Sequence, residues 1–257
     1  MNKSLEEKPR KLRKEFLSEY KNFHDIDVSK AEFLIKEAID YYTGKINHSP
    51  YASELEWRWY ESNDFTVYSD EYYFTDLWAC WHLYSRGYLR AIKKTIFDRL
   101  QNVESIIDLG CGIGYTTSAL KGMFPNAKVY ATNIEDSPQY NFCKMMSEKN
   151  GFLMIPSAKK LNHTVDLVFA SEYFEHIKEP ISHALSIIKY LEPKFLLIAN
   201  SFNTFSVGHF EKYEHNKKEI DQSKISKMFN QALRDNGYKK VKTNLWNNKP
   251  ALWVGKV

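Results

Sequence analysis

Cysteine is scarce in this chain: three residues, Cys80, Cys111 and Cys143, among 257. Their odd number and wide spacing argue against a disulfide framework, and no CxxC pair is available for a thiolate zinc cage. A reducing, cytoplasmic setting is expected. Long apolar runs are missing as well. No stretch approaches the roughly 20 apolar residues that a membrane helix needs, and the opening MNKSLEEKPRKLRKEF lacks the apolar centre of a secretion signal. A soluble protein with no membrane partner is expected. An excess of one charge is also lacking: 36 Lys and Arg against 32 Asp and Glu leave a net +4, which neither demands nor excludes a polyanionic partner.

What is present divides by composition. Residues 1–100 read as an N-terminal helical cap and 101–257 as an alternating core. In the cap, an S-x-x-E box from Ser29 to Glu32 leads into Ala31, Leu34, Ile35, Ala38, Ile39 and Tyr42 at helical spacing, with Gly44 placed to end the helix. Residues 51–88 are dense in aromatics, which form either a packed layer or a pocket wall. Lys8, Arg10, Lys11, Arg13 and Lys14 read as a solvated basic arm, with nucleic-acid contact as the alternative.

From Glu104 onward short β-type runs alternate with helical stretches. Strands are expected at 104–109, 127–133, 151–155, 165–171 and 194–201, a pattern that predicts a parallel sheet covered on both faces. An amphipathic helix from Ser223 to Asn236, closed by Gly237, precedes YKKVKTNLW and PALWVGKV, which read as a terminal antiparallel pair joined at NNK. The fold class is therefore α/β: a doubly wound, mostly parallel sheet with a C-terminal antiparallel hairpin.

Between the first strand and its helix stands DLGCGIG, Asp108 to Gly114. Glycines there permit a tight turn and let backbone amides approach a ligand, while the helix N-terminus behind them favours an anionic group. The G-x-G-x-x-G spacing of a dinucleotide site is not met. With this motif the chain resembles the class I S-adenosylmethionine-dependent methyltransferases, whose glycine-rich motif commonly reads D-x-G-x-G-x-G, over roughly residues 70–257. The resemblance implies a seven-stranded Rossmann-like sheet and S-adenosylmethionine held near Asp108, Gly110, Cys111, Gly112, Gly114 and Tyr115. Asn133, with Ile134 beside it, stands where the family usually carries an acidic residue for the ribose hydroxyls, and Glu135 or Asp136 is an alternative for that role. Ser157 and Ala158 stand near the adenine, and Ser171 at the end of the fourth strand. Helices before the glycine turn commonly roof the cofactor in this family, which makes Tyr72, Trp78 and Trp81 candidates to face substrate.

The stretch ASEYFEH, 170–176, follows the fourth strand, at the edge where such sheets bind ligands. Glu172, Glu175 and His176 fall at i, i+3 and i+4, a spacing that would gather them on one turn of helix. The E-x-x-E-H pattern is similar to one in the small-RNA 3′-terminal 2′-O-methyltransferases and the ubiquinone-pathway O-methyltransferases, where it helps hold a divalent ion. In the RNA enzymes a further His follows the fifth strand; His209 and His215 stand there, and His209 is the expected ligand. This mixed oxygen and nitrogen set suits Mg²⁺, Mn²⁺ or Fe²⁺. Without a metal, His176 or His209 serves as general base; a third reading makes the cluster a helix cap and packing feature.

D-P-P-Y and Pro-Cys signatures are absent from the stretch after the fourth strand. The expected function is O-methylation of a small-molecule or sugar-like hydroxyl, with Glu175, His176 and His209 at the reacting centre. Nucleic-acid methylation is the alternative, and a non-catalytic binding protein that keeps the fold is a further one.

Overall fold

The computed structural model describes residues 4–25, 27–42, 44–62, 67–68, 99–135, 137–204, 206–241 and 251–255. Tyr72, Trp78, Trp81, Cys80, Asp136 and the NNK turn lie outside them.

Five short apolar runs become parallel strands: β1 Ser105–Leu109, β2 Lys128–Ala131, β3 Leu153–Met154, β4 Leu167–Ser171 and β5 Phe195–Ala199. The sheet order is β3-β2-β1-β4-β5-β9-β8, in which β9 (Ala251–Val254) runs antiparallel to β5 and β8 (Lys239–Val241) antiparallel to β9. Successive residues of each strand feed opposite faces. Ile107, Leu109, Val168, Ala170, Leu196 and Ile198 enter one core, whereas Ile106, Leu167, Phe169 and Leu197 enter the other. That two-sided burial is why these strands read as unbroken apolar runs.

Helices cover both faces: α4 (Tyr115–Met123) and α5 (Pro138–Asn150) on one, α6 (Pro180–Leu191) and α7 (Gln222–Asp235) on the other. The start of α5 follows from Ser137, whose hydroxyl accepts the Tyr140 N–H at 3.1 Å, and from Pro138 at its first position. Gly237, at φ 89°, ends α7 in the left-handed region as expected. The chain runs out from β1 to β3, then returns to β4 on the far side of β1. The crevice outside the carboxyl ends of β1 and β4 is therefore the topological switch point where such sheets take ligands.

Three helices precede the sheet: α1 (Ser4–His24), α2 (Val28–Tyr42) and α3 (Pro50–Ser62). The basic stretch expected as a free arm lies within α1. That helix is held by Phe16, fully buried with its ring 5.5 Å from Tyr115 and 6.0 Å from Phe142 in edge contacts; burying one such ring contributes about 2 kcal/mol. Asp27 replaces Ser29 as the cap of α2, because its Oδ1 accepts the N–H groups of Ser29 and Lys30 at 2.8 and 3.3 Å. One element had no expectation: β6 (Lys212–His215) and β7 (Lys218–Asp221) form a separate hairpin, turned by Asn216 and Lys217 at φ 51° and 61°.

Candidate active site

At the end of β1 the chain must turn sharply into α4, and glycines make that possible. Gly110, Gly112 and Gly114 take φ values of 65°, 55° and 82°, in the left-handed region that an L side chain resists. Gly114 has a second reason to lack a side chain: a Cβ would lie 2.7 Å from Cys143 Sγ and 2.9 Å from the Phe152 ring. The turn is tied to Thr132, the residue after β2, through both its carbonyl and its hydroxyl. Cys111 N–H donates to the Thr132 carbonyl at 2.9 Å and Gly110 N–H to the Thr132 hydroxyl at 3.3 Å. Gly110 stays exposed, with the Tyr173 ring against one side of its Cα.

Several residues expected at the cofactor hold the turn instead of facing outward. Asp108 is buried and its Oδ2 accepts the hydroxyls of Thr116 and Thr117 at 2.9 and 2.7 Å. Burial pushes its carboxyl up to about 7, against hydroxyl bonds that pull the other way. Asn133 spans the turn: its Nδ2 donates to the Gly112 carbonyl at 2.8 Å and its Oδ1 accepts the Ile134 N–H at 2.9 Å. Cys111 and Tyr115 are buried, with Cys111 Sγ 3.5 Å from the thiol of Cys143. Ile134 projects at 45% exposure beside them, and Glu135 is exposed. Ser157 and Ala158 open a short 3₁₀ turn after β3, with Ala158 packed on the core.

After β4 the structure departs from the helical turn expected of Glu172, Glu175 and His176. Ser171 ends the strand half-buried, Glu172 takes φ 51°, and a 3₁₀ turn covers Phe174–His176. Phe174 enters the core, which rotates Glu175 inward: the carboxylate is 0% exposed and its Oε1 accepts the Ser201 N–H. Burial first, then the neighbouring Glu172 carboxylate, push Glu175 well above the usual carboxylate range. Its Oε2 is buried and receives no hydrogen-bond donor among the described residues. A proton held on Glu175 beside the Glu172 carboxylate removes both the uncompensated charge and the orphaned atom.

The two histidines form a second pair. The His176 and His209 rings meet edge to face with centroids 4.7 Å apart. His176 Nδ1 lies 3.1 Å from the Gly208 carbonyl and 2.8 Å from the Tyr68 hydroxyl; His209 Nδ1 lies 2.6 Å from the Thr204 carbonyl. A carbonyl can only accept, so both Nδ1 atoms carry a proton. Burial, with the His209 ring second, lowers His176 to about 3, so it stays neutral at physiological pH. His215 lies apart in β6, its Nε2 3.2 Å from the Asn216 amide.

Residues 81–243, more than half of the chain, match the family described as methyltransferase domain. The chain belongs to this family. Among curated proteins the methyltransferase is similar to the malonyl-[acyl-carrier protein] O-methyltransferase of Halalkalibacterium halodurans, with 27% identity over 122 residues. That match spans 41% of this chain and 41% of the relative. Among solved structures it is similar to an S-adenosylmethionine-dependent methyltransferase from Clostridium acetobutylicum, with 12% identity over 72% of this chain and 99% of that one and a TM-score of 0.48. It is also similar to DesVI of Streptomyces venezuelae, with 15% identity, coverage of 70% and 97%, and a TM-score of 0.47.

S-adenosylmethionine is the methyl source that membership of the family implies. A divalent ion fits this methyltransferase less well. Among the described residues no three His, Cys, Asp or Glu side chains are placed to share one. The expected set is seen instead as a carboxyl pair, Glu172 with Glu175, and an imidazole pair, His176 with His209, with Glu175 and His176 on a 3₁₀ turn and not a helical one. No helix among the described residues is long and apolar enough to cross a membrane. Three participants carried no sequence signal: Thr132 under the turn, Tyr173 against Gly110, and Tyr68 on His176. Gly208, a lone glycine directly before His209, was the one readable clue to a close approach there.

Proposed function

We propose that this methyltransferase O-methylates a small-molecule or sugar-like hydroxyl, with an imidazole and no metal ion as the proton acceptor. The observation that carries this reading is the His176–His209 pair at the carboxyl ends of β4 and β5, each Nδ1 bonded to a backbone carbonyl. The family's cofactor fits the other side of the crevice. Gly110 and Gly112 leave backbone accessible in the turn, Asn133 braces it, and Ile134 offers an apolar face; Ser157, Ala158 and Ser171 lie at neighbouring strand ends.

S-adenosylmethionine, when bound, supplies an electrophilic methyl group on a sulfonium whose leaving group is a neutral thioether. The protein then has two tasks: alignment, and removal of a proton from a poorly nucleophilic hydroxyl. His176 performs the second through Nε2, which is unprotonated because burial keeps the ring neutral; a base this weak takes the proton as the oxygen–methyl bond forms and the hydroxyl becomes strongly acidic. His209 orients and shields that ring. Glu175, neutral by burial, fixes Ser201 and the start of the loop that carries His209. The described helices before the sheet serve as a cap on the core: α1 packs beside Tyr115, and Trp59 of α3 donates from Nε1 to the His209 carbonyl at 3.2 Å.

Methyl-tritiated S-adenosylmethionine incubated with catechol, methyl glucoside, a malonyl thioester and a single-stranded RNA tests the proposal. Label in a hydroxylated small molecule, unchanged by chelator and by added salt, is expected. Label in RNA alone, falling steeply with salt, overturns it in favour of a nucleic-acid acceptor.

A further inference from the structure

Tyr68 reaches the proposed acceptor site from the N-terminal part of the chain, 108 residues before His176. We propose that Tyr68 is a positioning residue for the reaction: its hydroxyl and the Gly208 carbonyl together hold the His176 ring with Nδ1 as the proton-bearing atom and Nε2 as the atom that receives the acceptor's proton. This rests on the reading of His176 as the base.

The geometry at Nδ1 is over-determined. The Gly208 carbonyl lies 3.1 Å away and the Tyr68 hydroxyl 2.8 Å away, and the Tyr68 and His176 rings meet at 75° with centroids 6.0 Å apart. With Nδ1 unprotonated, the carbonyl and the ring nitrogen would be two acceptors in contact. With Nδ1 protonated, both oxygens accept from it. Gly208 is where the knot closes: it sits at φ 80°, and a Cβ there would overlap both the Tyr68 hydroxyl and His176 Nδ1. The backbone approaches this closely only because the residue is glycine.

Tyr68 is itself fixed from two directions. Gln139, buried in the first turn of α5, donates from Nε2 to the Tyr68 carbonyl at 2.7 Å. Val67, beside it, is buried with Leu55, Trp59 and Val207. A phenol held at both its backbone and its hydroxyl can hold the imidazole in turn, as an oxygen on the far nitrogen orients a histidine and strengthens its other nitrogen as a base. When the acceptor oxygen bonds to the methyl carbon and the carbon–sulfur bond breaks with its electron pair left on sulfur, His176 Nε2 takes the hydroxyl proton. The positive charge that appears on the ring then faces the Tyr68 oxygen and the Gly208 carbonyl. The N-terminal segment thus completes the reacting centre in addition to covering it.

The test is nitrogen-15 NMR of histidine-labelled protein, with the His176 signals assigned by their loss in His176→Gln. The wild type is expected to show a pyrrole-like Nδ1 and a pyridine-like Nε2. A His176 whose proton resides on Nε2 overturns the proposal outright, whether or not any variant folds. Tyr68→Phe leaves the Gly208 carbonyl in place, so Nδ1 is expected to keep its proton while its nitrogen signal shifts with the loss of one of two oxygen partners. The variant should lower kcat about 10- to 100-fold on the acceptor labelled in the panel above, with KM for S-adenosylmethionine unchanged. Unchanged shifts and unchanged kcat in Tyr68→Phe, where His176→Gln is inactive, remove Tyr68 from the role. An active His176→Gln instead removes the underlying reading of the base.

Discussion

The two banks of the crevice are shaped by different means. On the β1–β2 side the backbone makes the site: three glycines at positive φ, amides bonded to Thr132, and an Asn133 side chain that braces a carbonyl. On the β4–β5 side the site is made by side chains that converge from separate parts of the chain: Tyr68, His176, His209 and Ser201 around Glu175. A backbone site announces itself locally, because only glycine serves at such angles. A convergent site depends on contacts between distant segments, 108 residues apart for Tyr68 and His176, so the sequence names candidate side chains without showing which of them meet.

The difference predicts that damage on the two banks will read out differently. The largest effect is expected from His176→Gln: kcat should fall about 10²- to 10⁴-fold, the usual range for losing a general base, while calorimetry finds the affinity for S-adenosylhomocysteine unchanged. Next comes Gly114→Ala, which forces a side chain to φ 82° and onto Cys143 and Phe152. Denaturant unfolding should show a loss of about 3 kcal/mol. Gly122→Ala is the control within the same helix. Its Cβ meets nothing within 4 Å, so it should gain roughly 0.5–1 kcal/mol.

Asp108→Asn sharpens the comparison through pH. The folded carboxyl sits at about 7 against an ordinary 3.8, so its stabilising contribution is complete below the lower value and is lost as pH rises through the higher. Wild-type stability should therefore fall between about pH 4 and 7, by roughly 4 kcal/mol from this group. The asparagine variant should be flatter and relatively more stable at pH 8. The smallest effect is expected from Glu175→Gln: burial and the Glu172 carboxylate favour the protonated form, which an amide mimics, so stability should change by less than about 1 kcal/mol, whereas a charged, metal-holding Glu175 would show a clear loss of ion-dependent melting temperature.

Much of the fold was legible because parallel strands buried on both faces read as apolar runs, as SIIDL, LVFAS and FLLIA do. The glycine turn was legible for the same local reason. The cluster after β4 misled, since the i, i+3, i+4 spacing of Glu172, Glu175 and His176 implies proximity only on an α-helix. Burial of Phe174 and the left-handed Glu172 selected a 3₁₀ turn instead. The β6–β7 hairpin passed unnoticed because Asn216–Lys217 lacks the glycine that usually marks such a turn. Tyr68 was invisible among its many aromatic neighbours, for nothing in the sequence distinguishes the one whose hydroxyl meets His176.

The central claim is a division of labour, with the cofactor held on the glycine bank and proton removal on the histidine bank. A crystal structure of the complex with S-adenosylhomocysteine tests it most directly. The account predicts its homocysteine chain along Gly110–Gly114, with the sulfur directed toward the His176 and His209 rings. Density for the nucleoside elsewhere, or a sulfur turned away from those rings, would contradict it.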